Sequence, residues 1–343
     1  MSVVTTPPAI PFELVCPAGS LPALKAAVDN GADCVYLGMR DATNARNFAG
    51  LNFDRTAIDN GIRYAHERGA KVLMAINTYP QAGQDARWRT AVDTAAEMGV
   101  NAVIVADPGL MQYAAKAHPG LRLHLSVQGS ATNYEAINLY REQFGIQRAV
   151  LPRVLSMEQV KQLAQRTQVE IEVFGFGSLC VMVEGRCQLS SYVTGESPNT
   201  HGVCSPAKAV RWQETPRGRE ARLGGVLIDV YGEGENAGYP TLCKGRFDVE
   251  GEQNYYAIEE PTSLNTLDLL PQLMKIGVRA VKIEGRQRSP AYVAQVTRIW
   301  REAIDQCVAA GHRYAVKTAW MAGLDQIAEG QQHTLGAYHR SWK

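Results

Sequence analysis

Short apolar runs alternate with longer amphipathic stretches along most of the chain, and this rhythm constrains the fold more than any other feature. Eight runs have the length of strands: Glu13 to Cys16, Asp33 to Gly38, Lys71 to Thr78, Ala102 to Asp107, Arg122 to Gln128, Arg148 to Leu151, Glu170 to Phe174 and Ala280 to Glu284. Between most of them lie helical patterns such as Leu21 to Asn30, Trp88 to Met98, Tyr134 to Phe144 and Met157 to Thr167. Gly31, Gly99 and Gly145 stand where helix C-caps belong. Repeated strand and helix units build a parallel sheet. Eight such units predict an α/β fold of the TIM-like (β/α)8 kind, although an open doubly wound sheet gives a similar alternation.

The 343 residues suit a single barrel domain over 13–343, preceded by a flexible leader over 1–12 that has three prolines and no Lys or Arg. Hydrophobic residues at 45% and charged residues at 20% exclude disordered and collagen-like chains. Lys and Arg number 35 against 34 Asp and Glu, so no overall field draws nucleic acid or acidic lipid, and such a partner needs a local patch. No apolar run reaches the roughly 18 residues of a membrane span. Seven cysteines without an export signal point to a reducing, cytoplasmic setting.

The rhythm breaks once, over residues 175–256, a stretch too long for a plain connection. In a barrel this insertion falls between the seventh and eighth strands, on the C-terminal face where active sites are built. Strand parity adds a second expectation. Leu123, Leu125 and Val127 oppose His124, Ser126 and Gln128; Ile171 and Val173 oppose Glu170 and Glu172; Val281 and Ile283 oppose Lys282 and Glu284. Apolar sets facing helices leave a polar lumen, whose groups either pair with one another or do chemistry.

Four cysteines, Cys180, Cys187, Cys204 and Cys243, lie inside the insertion, the number that a tetrathiolate zinc site or an iron–sulfur cluster requires. Their spacings contain no C-x2-C knuckle, which lowers zinc. Arg186, Lys208, Lys244 and Arg246 stand near them and would favour thiolate, while Gly177, Gly185, Gly202 and Gly245 would admit backbone close to sulfur. Cys16, Cys34 and Cys307 read as core filler. At the end of the eighth strand, Lys282, Glu284, Arg286 and Arg288 precede a helix start at Ser289 and Pro290, forming either an anion pocket or a plain cap. Peptidase motifs are absent: His66-Glu67 has Ala70 where a second His belongs, and Ser197 lies between Gly195 and Asn199. The basic stretch Lys208 to Arg222 has one aromatic residue and is weak support for RNA.

The run Glu172-Val-Phe-Gly-Phe-Gly-Ser-Leu-Cys180, continuing to Gly185-Arg-Cys-Gln-Leu-Ser190, resembles the signature of the collagenase-like peptidase family. Further stretches extend the resemblance over nearly the whole chain: Cys16 to Ser20, Asn44 to Asn52, Leu151 to Leu155, Ser190 to Pro198, Glu235 to Cys243 and Glu259 to Asn265. Within the family the chain is most similar to the branch serving ubiquinone biosynthesis. That resemblance implies a 4Fe–4S cluster held by Cys180, Cys187, Cys204 and Cys243 in one subunit of a heterodimer of related proteins. It also implies anaerobic ring hydroxylation of a polyprenylated aromatic ubiquinone precursor, with prephenate as oxygen donor. Prephenate carries two carboxylates, which makes Lys282, Glu284, Arg286 and Arg288 candidates for binding the substrate or the donor. An RNA-base hydroxylase, a peptidase and a non-catalytic scaffold pinned by metal are the alternatives.

Overall fold

The structure, a computed structural model, describes residues 12–184, 187–198 and 203–340; of the expected leader only Phe12 falls among them. Seven strands follow in order: β1 (Glu13–Pro17), β2 (Cys34–Gly38), β3 (Lys71–Ile76), β4 (Ala102–Val105), β5 (Leu123–Leu125), β6 (Arg148–Val150) and β7 (Glu170–Ser178). They alternate with α1 (Leu21–Asp29), α2 (Arg55–His66), α3 (Ala86–Glu97), α4 (Pro108–Ala117), α5 (Tyr134–Phe144) and α6 (Met157–Arg166). Side chains start most of these helices. Ser20, Asp54, Asp107 and Asn133 each accept a first-turn N–H, and Ser156 forms a reciprocal capping box with Gln159. Gly145 closes α5 in the left-handed conformation, as its position in the sequence predicts.

The chain then leaves the barrel. It forms α7 (Gln188–Thr194) and an antiparallel sheet of β8 (Val210–Thr215), β9 (Gly218–Leu223) and β10 (Val226–Tyr231). A hairpin of β11 (Arg246–Val249) and β12 (Glu252–Tyr256) follows, and β13 (Ser263–Asn265) lies antiparallel along the end of β7. The insertion expected over 175–256 is therefore displaced: β7 continues to Ser178, because Phe176 and Ser178 find a ladder partner in β13. After α8 (Leu270–Lys275), β14 (Ala280–Ile283) pairs in parallel with β7 on one side and β1 on the other. That double pairing closes eight parallel strands into a TIM-like barrel and removes the open-sheet alternative. Helix α9 (Pro290–Ala310) starts at the Ser289 cap, followed by α10 (Thr318–Asp325) and β15 (His333–Thr334), which pairs with β13. Among the described residues, no helix is long and apolar enough to cross a membrane.

Parity places the side chains as the sequence predicts. Leu125, Ile171, Val173, Val281 and Ile283 pack outward with helix residues such as Leu24, Val92, Ile137 and Trp300. The lumen holds a small apolar cluster of Val15, Tyr36, Leu73 and Ile104 beside a charged network. Arg148 contacts Glu13 at 2.6 Å, Glu170 at 2.7 Å and Glu172 at 3.4 Å. Lys282 meets Glu172 at 2.8 Å, and Lys71 meets Glu13 at 2.5 Å. Internal pairing thus accounts for these charged groups of the lumen. Burial without partners would cost several kcal/mol per ion.

Candidate metal centre

Four segments bring the insertion cysteines together at the C-terminal mouth of the barrel. Cys180 follows β7 by two residues. Cys187 is the N-cap of α7, its sulfur accepting from the Ser190 N–H at 3.4 Å. The Ser190 hydroxyl donates to the carbonyl of Cys204, which ties that residue to the same helix. Cys243 sits in the turn Leu242–Lys244, which packs on α7. The thiols lie within one another's electric field. Burial pushes Cys243 up to about 12, and Cys204, Cys180 and Cys187 add to the rise. Burial likewise raises Cys180 to about 11, helped by the carboxylate of Glu184. Cys204 keeps one side open to solvent, yet the protein packed around the rest raises its thiol too, against the pull of Arg46.

A donor set of four thiols suits soft metal chemistry. Among the described residues, no three such side chains gather tightly enough for one ion. A four-iron cluster would take one thiolate on each iron, a donor set that the four insertion cysteines match in number. By contrast, Cys16 and Cys34 are buried in the barrel, where Cys16 accepts from the Thr297 hydroxyl, and Cys307 is buried on α9.

The cations expected around the thiols are only partly the ones present. Lys208 is exposed and pairs with Glu196, and Arg246 pairs with Asp229 and Glu235, so both charges are answered elsewhere. Arg186, Gly185 and Gly202 fall outside the described residues. Lys244 does reach the site, its charge acting on Cys204 and Cys243. Arg46 and Arg153, which local spacing did not single out, act on Cys204 and Cys180 from the barrel loops. Their only signal in the sequence is their place inside the stretches Asn44 to Asn52 and Leu151 to Leu155.

The four mouth residues after β14 separate into different environments. Lys282 lies in the lumen, paired with Glu172 and 3.9 Å above the Tyr36 ring, so an ion pair replaces the anchoring expected of it. Glu284 accepts from the Ser178 N–H at 3.0 Å, and neighbouring Arg153, Arg46 and Arg288 outweigh its burial to hold its carboxyl below the usual range. Gly177, at φ 130, admits the Glu284 side chain where a Cβ would stand 2.6 Å from it. Arg288 is exposed, its guanidinium 5.4 Å from the Tyr292 ring. Arg286 is buried. It donates to Asn44 Oδ1 at 2.6 Å, and among the described residues no carboxylate stands within ion-pair distance of it. Burial and the like charge of Arg46 pull it down to about 10.

Beside these groups a cavity of about 310 Å³ opens between the loop after β2 and the insertion, lined by Asn44, Asn47, Phe48, Glu196, Val203 and Lys208 among others. Val203 immediately precedes Cys204. Amide side chains hold the loop: Asn44 donates to Asn52 within it at 2.9 Å, and Asn77, just after β3, accepts from the Ala45 N–H at 3.1 Å. A serine and a lysine also meet nearby, Lys244 Nζ standing 3.1 Å from Ser178 Oγ. Lys244 also contacts Glu329 at 2.6 Å, so the lysine and the carboxylate together hold the serine hydroxyl.

Residues 19–341 match the sequence profile of peptidase family U32. The chain is 29% identical over 317 residues to tRNA hydroxylation protein P1 of Bacillus subtilis, covering 92% of this chain and 68% of that protein. It is 32% identical over 317 residues to tRNA hydroxylation protein P of Escherichia coli, covering 87% and 68%. Against the Collagenase of Porphyromonas gingivalis it is 30% identical over 305 residues, covering 86% and 66%. The chain thus spans about two thirds of the length of these relatives. With a profile match over nearly its whole length, the chain belongs to peptidase family U32, the collagenase-like family that its motifs resemble.

Proposed function

We propose that this chain is the iron–sulfur subunit of an oxygen-independent hydroxylase of the UbiU type, working in anaerobic ubiquinone biosynthesis as a heterodimer with a UbiV-like partner. The observation that carries the reading is the gathering of Cys180, Cys187, Cys204 and Cys243 beside a cavity at the barrel mouth. These four residues would hold a 4Fe–4S cluster, which when bound would supply one-electron chemistry. With a protein thiolate on every iron, electron transfer fits better than direct ligation of substrate.

The remaining steps belong to the chain's own residues. Arg286 presents a buried guanidinium with no carboxylate at ion-pair distance among the described residues, the group suited to anchoring a carboxylate of the oxygen donor, prephenate in this reading. Asn44 orients that guanidinium and also lines the cavity, so an anchored donor would lie next to the segment carrying Cys204. Arg288, exposed at the same turn, marks the entrance, while Lys282 and Glu284 hold the floor and the loop before Cys180. Phe48 supplies an apolar wall for the polyprenylated aromatic substrate. Exposed Leu189 and Tyr192 on α7, with Trp212 and Tyr239 elsewhere on the insertion, offer apolar surface for a partner subunit.

Hydroxylation of a tRNA base is the second reading, favoured by what two relatives are named for. The insertion sheet weakens it, because Arg219 pairs with Glu214 while Arg217 and Arg222 pair with Glu220, leaving little free charge for phosphates. The test uses cells lacking this protein, grown without oxygen and supplied with the native chain or with Cys180→Ala. Mass spectrometry follows both quinone intermediates and tRNA base hydroxylation. The reading expects quinone hydroxylation to return with the native chain only. Loss confined to tRNA hydroxylation would move the assignment to the second reading, and loss of neither would leave the metal-pinned scaffold.

A further inference from the structure

Ser178, the last residue of β7, stands two positions before Cys180, and all its polar groups are engaged by charged side chains from separate parts of the chain. Its N–H donates to Glu284 Oε2 at 3.0 Å, just beyond β14. Its carbonyl accepts from the guanidinium of Arg153, in the segment after β6. Its hydroxyl donates to Glu329 Oε2 at 3.0 Å and accepts from Lys244 Nζ at 3.1 Å. Lys244 directly follows Cys243, and Glu329 belongs to the C-terminal segment that β15 fastens to β13. Arg153 is further fixed by Glu184 at 2.8 Å, inside the loop between Cys180 and Cys187. The Lys244 side chain is 3% exposed and that of Arg153 7%, so water screens neither charge well.

Two ligand loops are therefore joined through one serine, with two cations and three carboxylates packed around the joint. Such a cluster of buried charge is costly unless each member is paired, and here each has a partner. We propose that this clamp sets the spacing and the electrostatic environment of Cys180 and Cys243, with Lys244 and Glu329 as opposed positioning residues for the metal group. The inference rests on the iron–sulfur reading and extends it to the C-terminal segment, which becomes part of the centre. Reduction adds negative charge to a cluster, so a nearby cation raises its potential and a nearby carboxylate lowers it.

The experiment prepares the full chain without oxygen and quantifies iron and acid-labile sulfide. It then titrates the midpoint potential by visible absorbance for the native chain, Lys244→Met, Lys244→Arg and Glu329→Gln. The clamp predicts a more negative potential in Lys244→Met, a more positive one in Glu329→Gln, and the native value in Lys244→Arg. A native chain without iron and sulfide would overturn the iron–sulfur reading itself. A loaded native chain with equal potentials in all variants, or with Lys244→Met and Glu329→Gln shifted the same way, would overturn the clamp alone. Should Lys244→Met not load, the pair Glu329→Gln and Lys244→Arg decides, since an unmoved potential in Glu329→Gln contradicts the proposal.

Discussion

His124 shows how much the surroundings decide what a residue does. Strand parity places it in the lumen, but only the structure surrounds it with Arg148, Arg122, Lys282 and Lys71, whose charges reinforce burial in holding its pKa well below the ordinary 6.5. Its Nδ1 is buried with no hydrogen-bond partner among the described residues, and Nε2 accepts from Arg122 at 3.1 Å. In the unfolded chain the same imidazole gains a proton as pH falls through 6.5. The unfolded state then binds more protons, so stability falls as pH drops below that value. Urea unfolding at about pH 7.5 and about pH 5.5 should show this loss, and His124→Gln should reduce it. His333, also held low by burial, keeps the reduction incomplete. An unchanged pH dependence in the variant would contradict the assignment. Arg46 and Arg153 illustrate what single residues conceal: nothing in their local spacing distinguishes them, because their relation to the thiols arises only when loops from different strands meet at the mouth.

At the scale of elements, legibility followed burial. The barrel strands are buried on both faces or carry one charged lumen face, and both patterns survive in the sequence as apolar runs or strict alternation. Strand β8 leaves no such trace: its four central residues, Arg211 to Glu214, are all exposed, so neither face carries an apolar set. Strand β13 is three residues long, too short for any period to register. The lumen network ties these readable strands together, since Glu172 on β7 joins Arg148 on β6 to Lys282 on β14. Replacing Glu172 with Gln leaves both cations short of a buried partner, and should lower stability by about 3–5 kcal/mol. Denaturant unfolding measures this, and a loss near zero would mean that water, rather than Glu172, compensates the two cations.

For the whole molecule, the eight-strand rhythm was enough to predict a barrel, and the β7–β14 pairing turned that expectation into a closed ring. The placement of the cysteine segment at the C-terminal mouth followed from chain order alone. The contribution of the C-terminal segment did not, because Glu329 reaches Lys244 across 85 positions, a relation that no local pattern carries. The proposed function depends on one claim: a metal group bound by four thiols at the mouth of a U32 barrel. The most direct test is metal analysis of the anaerobically purified chain, native and Cys204→Ala, for iron, acid-labile sulfide and zinc, together with the visible spectrum. The account predicts about four irons and four sulfides per native chain, lost in the variant. Zinc in their place, or a native chain without metal, would contradict it.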